Sequence, residues 1–257
     1  MEYIVLCAAA FFISWLTLFS GFGLSTLLLP LFVLFFSLPM AIALTAIIHF
    51  SNNLFKLALW GRAADRSIVM KFGIPALISA FMGAGLLLWL AREKPVLSYP
   101  LFGRHLEVTP MKLAVAFLMI IFSLMEILPS LRKISFDGKY APMGGLLSGF
   151  FGGLSGHQGA LRSAFLIRFD LTKEAFVGTG VVIACLVDIS RLTVYGVGFA
   201  AEGVRRNTLL IICVTLCAFF GAWLGSRLIR KVTIHFIQML VGILLLIIAL
   251  CLGSGLI

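Results

Sequence analysis

Two stretches of the chain share one pattern: residues 53–61 read NLFKLALWG and residues 188–196 read DISRLTVYG. In each stretch a polar residue is followed three positions later by a base and then leucine, and the stretch ends with an aromatic residue and glycine. Each stretch closes a long apolar run, so both runs carry a base, Lys56 or Arg191, at the same point. A base within a bilayer costs about 2.5–3.5 kcal/mol on insertion scales, so it needs a partner or a function. The pattern predicts a duplicated membrane protein whose two related cations form part of an anion pathway.

The composition is that of an integral membrane protein. Of the 257 residues, 61% are hydrophobic and 12% are charged, and the mean hydropathy is +1.14. These values are not those of a soluble domain. We expect an all-α fold with about eight hydrophobic segments, each of the length that spans a bilayer. They lie near residues 2–19, 40–60, 69–91, 111–130, 141–160, 174–200, 208–226 and 236–256. The longest polar gap, residues 92–110, is predicted to be a loop.

The charged and metal-binding residue types exclude several classes of function. The net charge is +10, but the bases lie in short loops, where they set membrane orientation, and they form no patch for nucleic acid. The cysteines lie in apolar segments without a Cys-x-x-Cys pair. The histidines are isolated in the sequence from one another and from carboxylates: His49, His105, His157 and His235. We therefore expect no metal and no other cofactor.

The duplication extends well beyond the opening pair. PMAIALT at residues 39–45 parallels KEAFVGT at residues 173–179, which matches Thr45 with Thr179, and AFMGA at residues 80–84 parallels AFFGA at residues 218–222. The separation between matched positions is nearly constant, which indicates two homologous repeats. We place them at residues 1–133 and 134–257, within one transmembrane domain. Some glycines are expected only to let helices approach closely: Gly83, Gly85, Gly221 and Gly225.

Each half also begins with a glycine-broken apolar segment. Residues 20–26 read SGFGLST, before Pro30, and residues 152–159 read GGLSGHQG. Because these clusters combine glycine with polar residues, they are typical of a helix that stops and restarts inside the membrane. The restarted piece presents free N–H groups and the positive end of its dipole to an anion. The alternative is that these glycines, too, serve only close packing.

The loop charges favour two repeats of opposite orientation. If each glycine-broken segment crosses the membrane, the loop Lys and Arg residues are spread about evenly over both sides. If each segment is a re-entrant hairpin, most of them fall on one side, as the positive-inside rule requires. The number of crossings per half then becomes odd. We therefore expect inverted repeats, each starting with a glycine-broken helix or hairpin.

The predicted binding site combines cations with neutral hydrogen-bond donors. The cations are Lys56, Arg162 and Arg191, and Asp188 balances only one of them, so a bound anion would offset the remaining excess. Hydroxyls and amides donate to oxyanions, and arginine binds two oxygens at once. The other predicted site residues flank the breaks or hold matched positions: Ser25, Thr26, Thr45, Asn53, Ser155, Gly156, His157, Gln158, Gly159 and Thr179.

Each charged residue also has a structural explanation. Arg191 follows Asp188 by three residues, so the two can pair on one helical face. Lys56 can extend to the membrane surface beside Trp60, and Arg162 can be interfacial. Because histidine ordinarily titrates near neutral pH, His157 can couple transport to protons, or it can be an ordinary core histidine.

Two other classes of protein remain as alternatives to a transporter. A membrane enzyme needs an activated nucleophile, a metal or a cofactor loop, and Ser155 near His157 has no carboxylate to orient the pair. We predict no catalytic residue and no enzymatic activity. A non-transporting partner subunit leaves the paired cations unexplained. Binding of lipid is expected of any membrane protein, and homo-oligomerisation is compatible with the sequence.

The motifs resemble those of the sulfite exporter TauE/SafE family of membrane permeases. The resemblance lies in the glycine-rich break that runs into Pro30, in its repeat GGLSG at residues 152–156, and in the Ala-x-x-Gly-Thr helix at residues 175–179. It covers both halves and implies transport of sulfite, an organosulfonate or a related anion across the bacterial inner membrane without ATP. The second break departs from the family pattern, since it reads GHQGA at residues 156–160 and no proline follows it near Phe165. These departures leave the identity of the anion open.

Overall fold

The computed structural model describes residues 2–17, 24–101, 103–132, 136–198, 201–227 and 234–257. The fold is 83% helical. The helices of the first half are α1 (Glu2–Thr17), α2 (Leu24–Val33), α3 (Leu38–Trp60), α4 (Arg66–Ile68), α5 (Ile74–Leu90), α6 (Pro110–Ile127) and α7 (Pro129–Arg132). Those of the second half are α8 (Ala141–Ser155), α9 (Gly159–Leu166), α10 (Lys173–Gly198), α11 (Ala201–Arg206), α12 (Thr208–Arg227) and α13 (Ile234–Gly253).

Among the residues that the structure describes, five helical segments are long and apolar enough to cross a membrane. They are Leu38–Ala63, Arg66–Leu90, Pro110–Ile127, Lys173–Gly196 and Thr208–Arg227. Shorter apolar helices lie at Tyr3–Thr17, Leu24–Val33 and Val241–Gly253. The chain is therefore a helical membrane protein, as its composition predicts. The count of eight segments stays a prediction.

The polar segment at residues 92–110 contains a small sheet, so its prediction as a plain loop was wrong. Strands β1 (Leu97–Leu101) and β2 (Arg104–Val108) pair antiparallel, with Leu97 opposite Val108. Leu106 and Val108 are buried, and this two-residue period is that of a strand with one face covered. The Tyr99 hydroxyl donates to the carbonyl of Ser254 and ties the hairpin to the end of α13.

The long helices pack in pairs that join the two halves of the chain. In these pairs α3 contacts α10, α5 contacts α8, α1 contacts α12 and α6 contacts α13. Glycine permits two of the closest approaches. A Cβ at Gly83 would lie 2.0 Å from the Phe150 carbonyl oxygen, and one at Gly221 would lie 2.2 Å from that of Phe11. The packing role predicted for these two glycines is confirmed. The same prediction for Gly85 was wrong, because a Cβ there would meet open space.

Helix α9 folds back along α8. The Ser148 hydroxyl donates to the Gln158 carbonyl (3.1 Å), and the Phe136 N–H donates to the Ala164 carbonyl (3.2 Å). The ring of Phe165 fills the space where Gly144 lacks a side chain, since a Cβ there would lie 2.7 Å from it. The chain therefore reverses at residues 156–158. The 15 residues of α8 rise about 22 Å, which is less than the roughly 30 Å of a hydrocarbon core.

The break predicted at residues 21–23 lies outside the described residues. Helix α1 ends at Thr17 and α2 begins at Leu24. Within α2 every described side chain except that of Leu31 is buried, and Pro30 stands inside the helix. Helix α2 contacts both α1 and α3, which places Ser25 in the interior of the protein.

Candidate functional site

The second break is built around Gly156, which ends α8. Gly156 has φ +82°, a left-handed conformation that strains any residue with a Cβ, and its N–H donates to the Gly152 carbonyl (2.8 Å). Helix α9 starts three residues later at Gly159. The first N–H groups of a helix have no partner within it, and its dipole is positive at that end. The break was predicted from residue 152 onward, but α8 continues through Gly152 and Gly153 and ends at Ser155.

Three helices converge on Gly156. A Cβ built there would lie 2.5 Å from Ser25 Oγ of α2 and 2.6 Å from Arg191 Nη1 of α10. Both side chains are fully buried. Neither of these two donor atoms has a hydrogen-bond partner among the described residues. Because Gly156 has no side chain, both donors approach its backbone closely, and none of the described residues uses either of them.

Asp188 holds Arg191 in place. The Asp188 Oδ1 atom accepts from Arg191 Nε (2.9 Å) and lies 2.7 Å from Arg191 Nη2, and both residues are fully buried on α10. The ion pair that offers a structural explanation for Arg191 therefore exists. It uses two nitrogens of the guanidinium and leaves Nη1 to face Gly156.

The second oxygen of Asp188 binds two residues of α3. Asp188 Oδ2 lies 2.7 Å from His49 Nδ1 and accepts from Asn53 Nδ2 (3.2 Å). The expectation that His49 is isolated from carboxylates was wrong, because α3 and α10 pack face to face and bring together residues that are distant in the sequence. The sequence did contain a signal: His49 and Asn53 are four residues apart, so they share a helical face directly before Lys56.

The residues of the break itself add further open groups. His157 Nδ1 lies 2.9 Å from Ser155 Oγ, and its ring stacks on Phe122 of α6 with centroids 5.5 Å apart. Its Nε2 has no hydrogen-bond partner among the described residues, and neither has the side-chain amide of Gln158. Both residues are buried. Buried polar groups in proteins are almost always paired, so these atoms at one break are available to bind a polar ligand.

Lys56 and Arg162 are also buried, with exposed fractions of 5% and 7%. Lys56 therefore does not extend to the surface beside Trp60. Arg162 of α9 lies against α10, where a Cβ at Gly180 would be 3.4 Å from its Nε, and its Nη1 has no hydrogen-bond partner in the described part of the chain. The positive charges of Lys56 and Arg162 repel each other, and Asp188 attracts Arg162. The four charged groups thus act on one another in one buried region.

The predicted threonines use their hydroxyls in other ways. Thr45 Oγ1 donates to the Ala41 carbonyl one turn earlier in α3 (2.7 Å), and Thr179 Oγ1 accepts from the Asp65 N–H (2.9 Å). Thr26 is buried next to Ser25. The structure therefore brings Ser25, Gly156 and Arg191 together, whereas the two threonines bind backbone groups, Thr45 within its own helix and Thr179 directly before α4.

Glu126 is a buried acid that the sequence analysis did not consider. It lies on α6, where a Cβ at Gly242 of α13 would be 3.2 Å from the Glu126 Cβ. It takes part in interactions of its own. The excess of two positive charges is counted over Lys56, Arg162, Arg191 and Asp188 and does not include Glu126.

Comparison with known proteins agrees with the membrane architecture. The family described as Sulfite exporter TauE/SafE matches residues 6–252, nearly the whole chain. No curated protein and no solved structure matches the chain.

Proposed function

The chain belongs to the sulfite exporter TauE/SafE family, and we propose that it is a secondary transporter of a small sulfur-containing oxyanion such as sulfite or an organosulfonate. Proteins of this family are membrane transporters of the sulfite-exporter type and not enzymes. The proposed membrane is the bacterial inner membrane. The proposed binding place is the second break, between α2, α8 and α10.

The observation that carries the proposal is the pair of open donors at Gly156. Ser25 Oγ and Arg191 Nη1 are buried, lie 2.5 Å and 2.6 Å from the position of an absent Cβ, and have no partner among the described residues. An oxygen atom of an anion that binds beside Gly156, within hydrogen-bond distance of both atoms, accepts from both. His157 Nε2, Gln158 Nε2 and Arg162 Nη1 supply further open nitrogens in the neighbouring elements. Donors from several directions suit an SO₃ group, whose three oxygens each accept hydrogen bonds.

The charge of the region favours an anion as well. Lys56, Arg162 and Arg191 against Asp188 leave an excess of two positive charges, and all four side chains are buried. Uncompensated buried charge costs several kcal/mol per ion. A bound oxyanion offsets that cost, whereas a neutral or cationic ligand does not. The excess also opposes the binding of metal cations.

We further propose that the two halves are inverted repeats related by an axis through the α3–α10 contact. Asn53 and Asp188 hold matched positions in the two halves, and the Asn53 amide donates to the Asp188 carboxylate. Under this relation the contact of α1 with α12 corresponds to the contact of α8 with α5. A matched glycine lies in each contact: Gly221 of α12 packs against the backbone of α1, and Gly83 of α5 packs against the backbone of α8. The reversal at residues 156–158 supports a re-entrant hairpin. Relative movement of such repeats would give alternating access to a site near mid-membrane.

The proposal is tested by transport of ³⁵S-labelled sulfite into proteoliposomes, with competition by taurine, sulfoacetate and sulfate. The test variant combines Asp188→Asn with Arg191→Gln. It removes both members of the ion pair, so the net charge of the region is unchanged, but it removes the Nη1 donor. The control is Lys71→Gln, which deletes one exposed positive charge in the same protein.

We expect transport by the wild type and by the control, and loss of transport in a folded double variant. Normal transport by the double variant would show that the pair is only structural and would place the anion elsewhere. A wild type that transports none of the four compounds but copurifies in a stable larger complex would favour a partner subunit. Chemical conversion of any of them would favour a membrane enzyme.

A further inference from the structure

One carboxylate, that of Asp188, is shared between a permanent cation and a titratable group. Its Oδ1 atom binds Arg191, while Oδ2 lies 2.7 Å from His49 Nδ1. His49 is 2% exposed and Asp188 is fully buried. Arg191 Nη2 is 3.5 Å from the same His49 nitrogen, so the imidazole is next to the guanidinium that faces Gly156. The geometry therefore connects His49 to the proposed anion site through a single residue.

The charge state of His49 decides how much of the positive charge of Arg191 is left for an anion. The charged groups acting on the imidazole are Asp188 and Arg191 of α10, and Lys56 of its own helix α3. When His49 is neutral, Asp188 neutralises Arg191. When His49 carries a proton, the same carboxylate is divided between two cations, and the positive excess of the region rises by one. An anion beside Ser25 and Arg191 then becomes the counterion of the additional charge.

We propose that His49 binds a proton when the transporter binds its anion, so that anion and proton are carried together. The inference rests on the proposed function and adds the coupling ion to it. The proton comes from water on the side where the anion enters, is held at the imidazole as long as the anion is bound, and returns to water on the other side. By linkage, protonation strengthens anion binding by the same factor by which the anion strengthens protonation.

The other buried histidine of the region differs in its surroundings. His157 Nδ1 faces Ser155 Oγ, and that hydroxyl also donates to the Phe151 carbonyl (3.2 Å). The ring is stacked on Phe122, and Arg191 is the charged group that acts on it. A second positive charge there would be opposed by Arg191 with no carboxylate to share it. His157 is therefore the comparison residue: its replacement should weaken sulfite binding, because Nε2 is one of the proposed donors, but should not change the number of protons taken up per bound sulfite.

The test measures the protons taken up per anion bound. Titration calorimetry of the purified full-length protein with sulfite, in two buffers of different protonation enthalpy, gives this number directly. The variants are His49→Gln, which keeps an amide donor for Asp188 but does not titrate, and His157→Gln. Sulfite exchanges a proton of its own near neutral pH, but this contribution is common to the variants and cancels in their difference. His49→Asn serves as the second substitution if the glutamine variant does not fold.

For each sulfite bound, we expect the wild type and His157→Gln to take up more protons than His49→Gln does. The difference should be up to about one proton per sulfite. We also expect wild-type affinity for methanesulfonate, whose charge stays constant, to tighten by up to about tenfold per unit fall in pH across the range where histidine titrates. Equal uptake by wild type and the His49 variant, or affinity for methanesulfonate independent of pH, would overturn the inference and leave the proposed function intact. If the wild type binds neither sulfite nor methanesulfonate, both the inference and the proposed function are refuted.

Discussion

Substitution of Gly156 by alanine is the sharpest probe of the site, because a single methyl group is placed where two donors meet. The new Cβ would be 2.5 Å from Ser25 Oγ and 2.6 Å from Arg191 Nη1. Ser25 Oγ can rotate away, but Arg191 is held by two of its nitrogens on Asp188 and cannot move without weakening that pair. The methyl group therefore pushes the two donors out of the positions in which they would bind the anion.

The expected magnitudes follow from these contacts. A residue with a Cβ at φ +82° costs about 1–2 kcal/mol of stability relative to glycine. Loss of a hydrogen bond from a charged donor costs about 1.5–3 kcal/mol, so sulfite affinity should fall by about 10- to 100-fold. Thermal unfolding and titration calorimetry, each with and without sulfite, separate the two effects. We expect a moderately destabilised protein whose sulfite-induced stabilisation is nearly lost.

The matched control is Gly85→Ala. Gly85 lies within α5, and a Cβ there meets nothing within 4 Å. Alanine is favoured over glycine in a helix by about 0.8–1.0 kcal/mol, so this variant should be as stable as the wild type or more so, with unchanged sulfite affinity. If Gly156→Ala binds sulfite as tightly as the wild type, or if Gly85→Ala loses affinity equally, the space at Gly156 is not the anion site.

Three further predictions concern the surrounding structure. Arg162→Lys should weaken sulfite binding by about 1–3 kcal/mol in calorimetry, because a point charge replaces a planar fork; unchanged affinity would remove Arg162 from the site. Single cysteines at Ser67 and Asn207 should react with a membrane-impermeant maleimide from opposite sides of oriented vesicles, and reaction from the same side would contradict inverted repeats. Gly149→Ala should destabilise the α5–α8 contact in thermal unfolding, since its Cβ would lie 2.1 Å from the Ala76 carbonyl oxygen; an unchanged midpoint would mean that the helices adjust freely.

The sequence predicts best those features that depend on composition and on local pattern. Apolar runs identify the helices, and the repeat of a base three residues after a polar position identified Lys56 and Arg191 as related buried residues. The Gly156 break was identified because glycine and polar residues interrupt an apolar run. Each of these signals lies within a few residues of the chain.

What the sequence could not reveal depends on which helices meet. The pairing of His49 with Asp188 joins residues 139 positions apart. No local pattern indicates that α3 packs against α10 in the register that brings these two residues level with each other. The same holds for Ser25 Oγ and Arg191 Nη1, which become neighbours only because Gly156 leaves room between them. The hydroxyls of Thr45 and Thr179 were predicted at the site from their matched positions, yet backbone groups nearby use them.

The proposed repeats would give a duplicated scaffold an uneven distribution of charge. At the positions that the proposal matches, the second half has Asp188 and the first half has Asn53, and the two side chains touch. An amide at that position donates to the carboxylate, whereas a second carboxylate would repel it at the same distance. One acid therefore serves both halves and neutralises only Arg191, which leaves the charge of Lys56, and that of Arg162 nearby, without an acid in the pair. An amide in place of a second acid thus stabilises the contact of α3 with α10 and at the same time preserves the positive excess that the proposed anion requires.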